Sequence, residues 1–165
     1  MIDQKIYTPL KDVEYVISIL NKIAIFGGLT EKQLFEVFKL LKKVDYASGE
    51  YVYKQGDAAS YIYIIKKGEV KLSVDNGHDS YELISYSAGD CFGETSVIGI
   101  QSHSSSALAV TDTELIILEH GSLLSLFERD KELFGMLILN IAREMSRRLN
   151  KSDEILAQYL LKNGR

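Results

Sequence analysis

Between Tyr46 and Leu118 the chain breaks into short segments rich in Tyr, Val and Ile, separated by turn signals about ten residues apart. The turns fall at Ser48-Gly49, Gly56-Asp57, Lys67-Gly68, Asn76-Gly77 and Ala88-Gly89. Asn76-Gly77 is the strongest hairpin signal, because both residues tolerate positive φ. Val70, Leu72 and Val74 alternate with Glu69, Lys71 and Ser73, as a strand with one wet face requires. Such regular spacing predicts a small antiparallel barrel or jelly roll.

Helical periodicity flanks this region. Val13, Val16, Ile17, Leu20 and Ile23 predict a helix over 11–24, broken at Gly27-Gly28. Thr30 and Gln33 form a candidate capping box for a second helix, with Leu34, Phe35, Val37, Phe38, Leu40 and Leu41 as its apolar face. After His120-Gly121, Ser122 is a candidate cap for a short helix through Phe127, and a long helix begins near Asp130. Ile138, Ala142, Met145, Leu149, Leu156 and Tyr159 lie on it at steps of four and three, a heptad seam interrupted by Ser152. The expected fold is therefore mainly β with flanking helices. It is an antiparallel jelly-roll β-barrel with N-terminal helices and a long C-terminal helix. One domain is expected over 1–165, with N-terminal helices at 1–42, barrel at 43–119 and C-terminal helices at 121–162.

Composition narrows the function classes. At 46% apolar and 25% charged, the 165 residues read as soluble and globular. No apolar run reaches bilayer length, and the N-terminus lacks signal-peptide character, so a cytoplasmic protein is expected. A net charge of −4 argues against nucleic-acid binding. Arg143, Arg147, Arg148 and Lys151 cluster, but Glu144, Asp153 and Glu154 sit among them, which reads as a mixed solvated helix face. The lone Cys91 excludes an internal disulfide and reads as an inert core thiol. Three histidines, His78, His103 and His120, are too few and too scattered for a cupin-type metal enzyme, so neither a metal nor an enzyme is expected.

The stretch Gly89-Asp90-Cys91-Phe92-Gly93-Glu94-Thr95 carries the functional signal. Gly93 allows close backbone approach to a ligand. First-turn amides of a following helix favour an anion, whereas Glu94 accepts hydrogen bonds and so suits a sugar hydroxyl.

Together with Gly49-Glu50, Gly56-Asp57, the run Tyr61 to Ile65 ending at Gly68, and the strand Ala107 to Leu118, this stretch resembles the cyclic-nucleotide-binding domain family. That family includes the catabolite activator protein, kinase regulatory subunits and nucleotide-gated channels. The resemblance spans roughly 24–160 and implies a sensor module that binds cAMP or cGMP and signals through the C-terminal helix. It assigns Gly93, Glu94, Thr95, His103, Ser104, Ser105 and Ser152 to the ligand. Glu94 takes the ribose 2′-hydroxyl, amides near Gly93 and Glu94 hold the cyclic phosphate, and Ser152 lies near the purine at a homodimer seam. The family's phosphate arginine falls at His103, the proline before it at Ser102, and no lysine or arginine stands between Glu94 and Arg129. Histidine lacks arginine's permanent charge and planar fork. A second reading is therefore a degenerate pocket on a ligand-free dimerisation module. Calorimetric titration with cAMP and cGMP separates the two. The 165 residues leave no room for a helix-turn-helix domain, so an isolated sensor or a fragment of a longer chain is expected.

Overall fold

A strand of Ile and Tyr with almost no polar face must be covered on both sides, and Tyr61–Lys67 is such a strand. Its Ile62 and Ile64 face a core shared with the helices, while Tyr63 and Ile65 face a second core between two sheets. The strand Thr113–Glu119 divides the same way, Ile116 and Leu118 against Leu115 and Ile117. These two strands pair antiparallel and form the wall between the cores.

The computed structural model describes residues 5–163; residues 1–4, 164 and 165 of the expected domain lie outside them. In chain order the strands are β1 (Thr8–Pro9), β2 (Leu41–Tyr46), β3 (Tyr51–Tyr53), β4 (Tyr61–Lys67), β5 (Glu69–Asp75), β6 (Ser80–Ser87), β7 (Cys91–Phe92), β8 (Ser106–Ala109) and β9 (Thr113–Glu119). The helices are α1 (Val13–Leu20), α2 (Glu31–Phe38), α3 (Glu94–Gly99), α4 (His120–Arg129) and α5 (Lys131–Asn163), with a 3-10 turn at Ala24–Phe26. One sheet runs β1-β2-β9-β4-β7 and the other β3-β8-β5-β6, with every pairing antiparallel. The expected mainly-β jelly roll with flanking helices and a long final helix is what forms, as two facing sheets.

Local signals explain several boundaries. The Thr30–Gln33 capping box is present in both directions, with Thr30 N–H donating to Gln33 Oε1 at 2.9 Å. Asp12 caps α1 by accepting from Tyr15 N–H, so that helix is shorter than the expected 11–24. Asn76 Oδ1 accepts from the amides of His78 and Asp79, closing the β5–β6 hairpin at the expected place. Leu41 does not extend α2. It opens β2 and pairs with Leu118, because the strand offers it a ladder partner and a buried site. Ser122 does not cap α4, which starts earlier, at His120.

α5 starts at Lys131, where Asp130 accepts from Leu133 N–H at 2.9 Å. Leu133, Leu137 and Ile141 anchor its first half in the helical core, and Asn140 Nδ2 donates to Gly27 O at 2.8 Å. From Leu149 to Lys162 every residue is exposed. The expected heptad positions Leu149, Leu156 and Tyr159 lie in that exposed half, whereas Ile138 and Met145 pack partly against the core.

Candidate functional site

Gly93 is where the chain leaves β7 and enters α3, at φ 83°, in the left-handed region. A β-carbon there would meet Tyr61 O and Tyr63 Cδ2 at 3.0 Å each, so packing as well as conformation demands glycine. The tight turn directs Glu94 inward, leaving it 1% exposed.

Glu94 is not alone. Arg148 of α5 donates from Nη1 to Glu94 Oε1 at 2.6 Å and from Nη2 to the Cys91 carbonyl at 2.6 Å. Its Nε donates to Glu144 Oε1 at 2.9 Å, and Arg147 also bonds Glu144. The Arg148 guanidinium lies 5.0 Å from the centre of the Tyr86 ring, within cation–π range. Glu94 Oε2 is buried and has no hydrogen-bond partner among the described residues. Burial pushes the Glu94 carboxyl above its ordinary value, and the Arg148 charge pulls against that. Burial also opposes the Arg148 cation, but Glu94 and its neighbours outweigh it and raise the guanidinium further. Burial pushes the Cys91 thiol up to about 12, which keeps it unreactive, as expected of a core cysteine.

The 101–106 loop packs against β3 and the turn after it. Ile100, in the left-handed region at φ 51°, ends α3 and leads into this loop. His103 N–H donates to Asp57 O at 2.9 Å, and Gly56 N–H donates to His103 O at 2.8 Å. Clamped this way, the His103 ring stacks on Tyr53 of β3 at 3.5 Å between centroids and 5° between planes. The side chain is 3% exposed. Burial pushes its imidazole below the ordinary value, with Asp57 acting in the opposite sense. Beneath lie Phe92, Tyr63 and Tyr86, with Phe92 stacked 5.0 Å from Tyr63 and 6.0 Å from Tyr86. Between β6 and α5 there is a cavity of about 390 Å³ whose wall includes Tyr86, Asp90, Glu144, Arg148 and Lys151.

Of the residues singled out in the sequence, Gly93 and Glu94 sit together with Arg148, and His103 and Ser105 are buried at the loop. Thr95 and Ser104 are exposed. Ser152 is exposed one turn beyond Arg148, its hydroxyl donating to Arg148 O at 3.0 Å. Two residues of the site do not stand out in the sequence. Tyr53 reads there only as a strand tyrosine. Arg148 reads as part of a solvated face, and its bonds to Glu94, Glu144 and Cys91 correct that reading. Its register was available: Leu133, Leu137, Ile141, Glu144 and Arg148 continue one inward stripe at helical steps. Among the described residues, no group of three or more His, Cys, Asp or Glu is placed to hold a metal. Among the described residues, no helix is long and apolar enough to cross a membrane.

The family model for the cyclic nucleotide-binding domain matches residues 43–130, from β2 through α4. The chain belongs to the cyclic nucleotide-binding domain family. Among relatives of this domain, cyclic nucleotide-gated channel beta-1 of Bos taurus is 33% identical over 147 residues, 87% of this chain and 10% of the channel. The chain thus spans about a tenth of the length of that relative. The catabolite activator protein of Thermus thermophilus is 28% identical with a TM-score of 0.73, covering 82% of this chain and 62% of that one. A cyclic nucleotide-binding domain from Methylobacillus flagellatus shares the fold at a TM-score of 0.81 and 22% identity, covering 94% and 88%.

Proposed function

We propose that this domain is a cytoplasmic regulatory module that binds cAMP or cGMP and passes the event to α5. One observation carries the reading: Glu94 is buried with one oxygen on Arg148 and the other without a partner among the described residues. A buried carboxylate oxygen left unmatched is costly, and a ribose 2′-hydroxyl would satisfy it. Such a charge-assisted bond contributes roughly 1.5–3 kcal/mol, or about one to two decades of affinity. The amides of Glu94 and Thr95 beside Gly93, with His103, Ser104 and Ser105, supply donors for the cyclic phosphate. Ser152 lies toward the purine.

Because Arg148 is on the same carboxylate, whatever engages Glu94 also acts on the α5 contact. Binding then shifts the population of α5 positions by its differential affinity for them. The exposed apolar stripe at Leu149 and Leu156 supports a homodimer along α5, with the output passing to a downstream partner.

A second reading is supported by the internal contacts of Glu94 with Arg148 and His103 with Tyr53: a ligand-free dimerisation module on the same fold. Isothermal titration with cAMP and cGMP decides between them. The sensor reading expects saturable binding that weakens by about one to two decades in Glu94→Gln. Absence of heat with either nucleotide, in a folded dimer, leaves the ligand-free module.

A further inference from the structure

The 101–106 loop, whose His103 stacks on the same Tyr53 that feels the Glu94 charge, carries no fixed cation, and the groups around His103 suggest what replaces it. No lysine or arginine stands between Glu94 and Arg129, while the loop itself offers Ser102, Ser104, Ser105 and Ser106 around His103. His103 is held at three points: two backbone hydrogen bonds to the Gly56-Asp57 turn and one ring face against Tyr53. A histidine pinned in this way gives up rotamer freedom before any ligand arrives, so a contact through its ring costs little further ordering.

We infer that Tyr53 is a positioning residue that holds His103 as the ligand's phosphate partner, so that nucleotide binding takes up one proton at the imidazole. The inference rests on the reading of the domain as a cyclic-nucleotide sensor. Tyr53 of β3 presents its π face, which favours an imidazolium over a neutral ring. Asp57 of the adjoining turn acts electrostatically to favour the proton, although its carboxylate accepts from Lys54 N–H at 2.8 Å within its own turn. Burial chiefly, then the charges of Glu94 and Tyr86, raise the Tyr53 phenol, and a hydrogen bond with Ser105 acts against them. Without ligand, burial favours the neutral ring. An incoming phosphate raises the imidazole, since a nearby anion favours the charged form. The proton comes from solvent or buffer and settles on the imidazole; no bond in the nucleotide changes.

The sign follows. The imidazole's pKa is higher with ligand than without, so affinity rises as pH falls through the ligand-bound value. It levels off below the ligand-free value, with a slope of at most about tenfold per pH unit. The test is isothermal titration of cAMP and cGMP into the wild-type chain, in PIPES and in imidazole buffer, at pH 6, 7 and 8. Tyr53→Phe, Tyr53→Leu and His103→Gln follow under the same conditions. Expected are a buffer-dependent binding heat equivalent to uptake of up to one proton in the wild type, the same in Tyr53→Phe, a reduced uptake and flatter pH slope in Tyr53→Leu, and none in His103→Gln. Wild-type binding with no proton uptake overturns the inference and leaves the sensor reading intact. No wild-type binding at any pH removes both. Undiminished uptake in Tyr53→Leu removes Tyr53 from the role. Should Tyr53→Leu not fold, Tyr53→Met, which likewise removes the ring, is read by the same criteria.

Discussion

Arg148 and Glu94, separated by 54 positions in the chain, meet at 2.6 Å inside the fold. The pair joins the last helix to the turn after β7, and a second carboxylate, Glu144, holds the guanidinium from the helix side. Removing a partner from a mostly buried pair leaves the other charge uncompensated. Arg148→Met should therefore lower stability by about 2–4 kcal/mol. The double variant Glu94→Gln/Arg148→Met should lose less than the sum of the single changes, as measured by urea denaturation in a double-mutant cycle. Additive losses would mean the two side chains do not depend on each other.

Glu94 also sets a pH dependence. Its carboxyl is raised in the folded state, mainly by burial, so its contribution to stability is fully present below its unfolded value and is lost as pH rises through the folded value. The stability of the wild type relative to Glu94→Gln should fall as pH climbs from about 4.5 toward neutrality. Parallel denaturation curves for the two proteins across pH 4 to 8 check this; a constant difference would place the carboxyl's titration at its ordinary value.

Gly93 and Gly89 share positive φ but differ in surroundings. Nothing lies within 4 Å of a β-carbon built on Gly89, whereas one on Gly93 meets Tyr61 O and Tyr63 at 3.0 Å. Gly89→Ala should cost about 1 kcal/mol of strain, and Gly93→Ala clearly more. Equal losses in thermal denaturation would mean that packing around Gly93 relaxes freely.

Replacing His103 with arginine tests the anion contact from the opposite direction. A guanidinium can stack on Tyr53 as the imidazole does, and it carries its charge at every accessible pH. His103→Arg should bind cyclic nucleotide about one to two decades more tightly at pH 8 and lose the pH dependence. A folded variant with no gain in calorimetry would show that the loop lacks room for an anion beside position 103.

The exposed half of α5 makes a separate prediction. Leu149 and Leu156 are 62% and 55% exposed, so glutamate at both should change the stability of an isolated chain by less than about 0.5 kcal/mol. The same double change should convert the proposed dimer to monomer in light scattering. Met145 suits this test less well, because it packs against the helical core.

What could be read from the sequence was what local chemistry decides. The Thr30–Gln33 box and the Asn76-Gly77 hairpin depend on residues a few positions apart, and both form as read. The α2–β2 boundary is hidden because Leu40 and Leu41 prolong the apolar pattern of the helix, and only pairing with β9 draws Leu41 into a strand. The Glu94–Arg148 pair is hidden for a different reason. Hydrophobic periodicity records apolar faces, and here the inward stripe of α5 passes from Leu133, Leu137 and Ile141 to two charged residues. Between Arg147, which lies on the surface, and Arg148, which does not, one residue of helical phase decides. The stacking of His103 on Tyr53 joins a loop to a strand 50 positions earlier, and no local pattern announces it.

In the proposed sensor, the exposed stretch of α5 beyond Arg148 would serve as a lever with its fulcrum at the ion pair. Fourteen residues from Leu149 to Lys162 give it an arm of about 20 Å. A tilt of about 10° at the fulcrum would sweep the tip through about 4 Å. A small rearrangement around one carboxylate would thereby be magnified into a displacement large enough for another protein to sense.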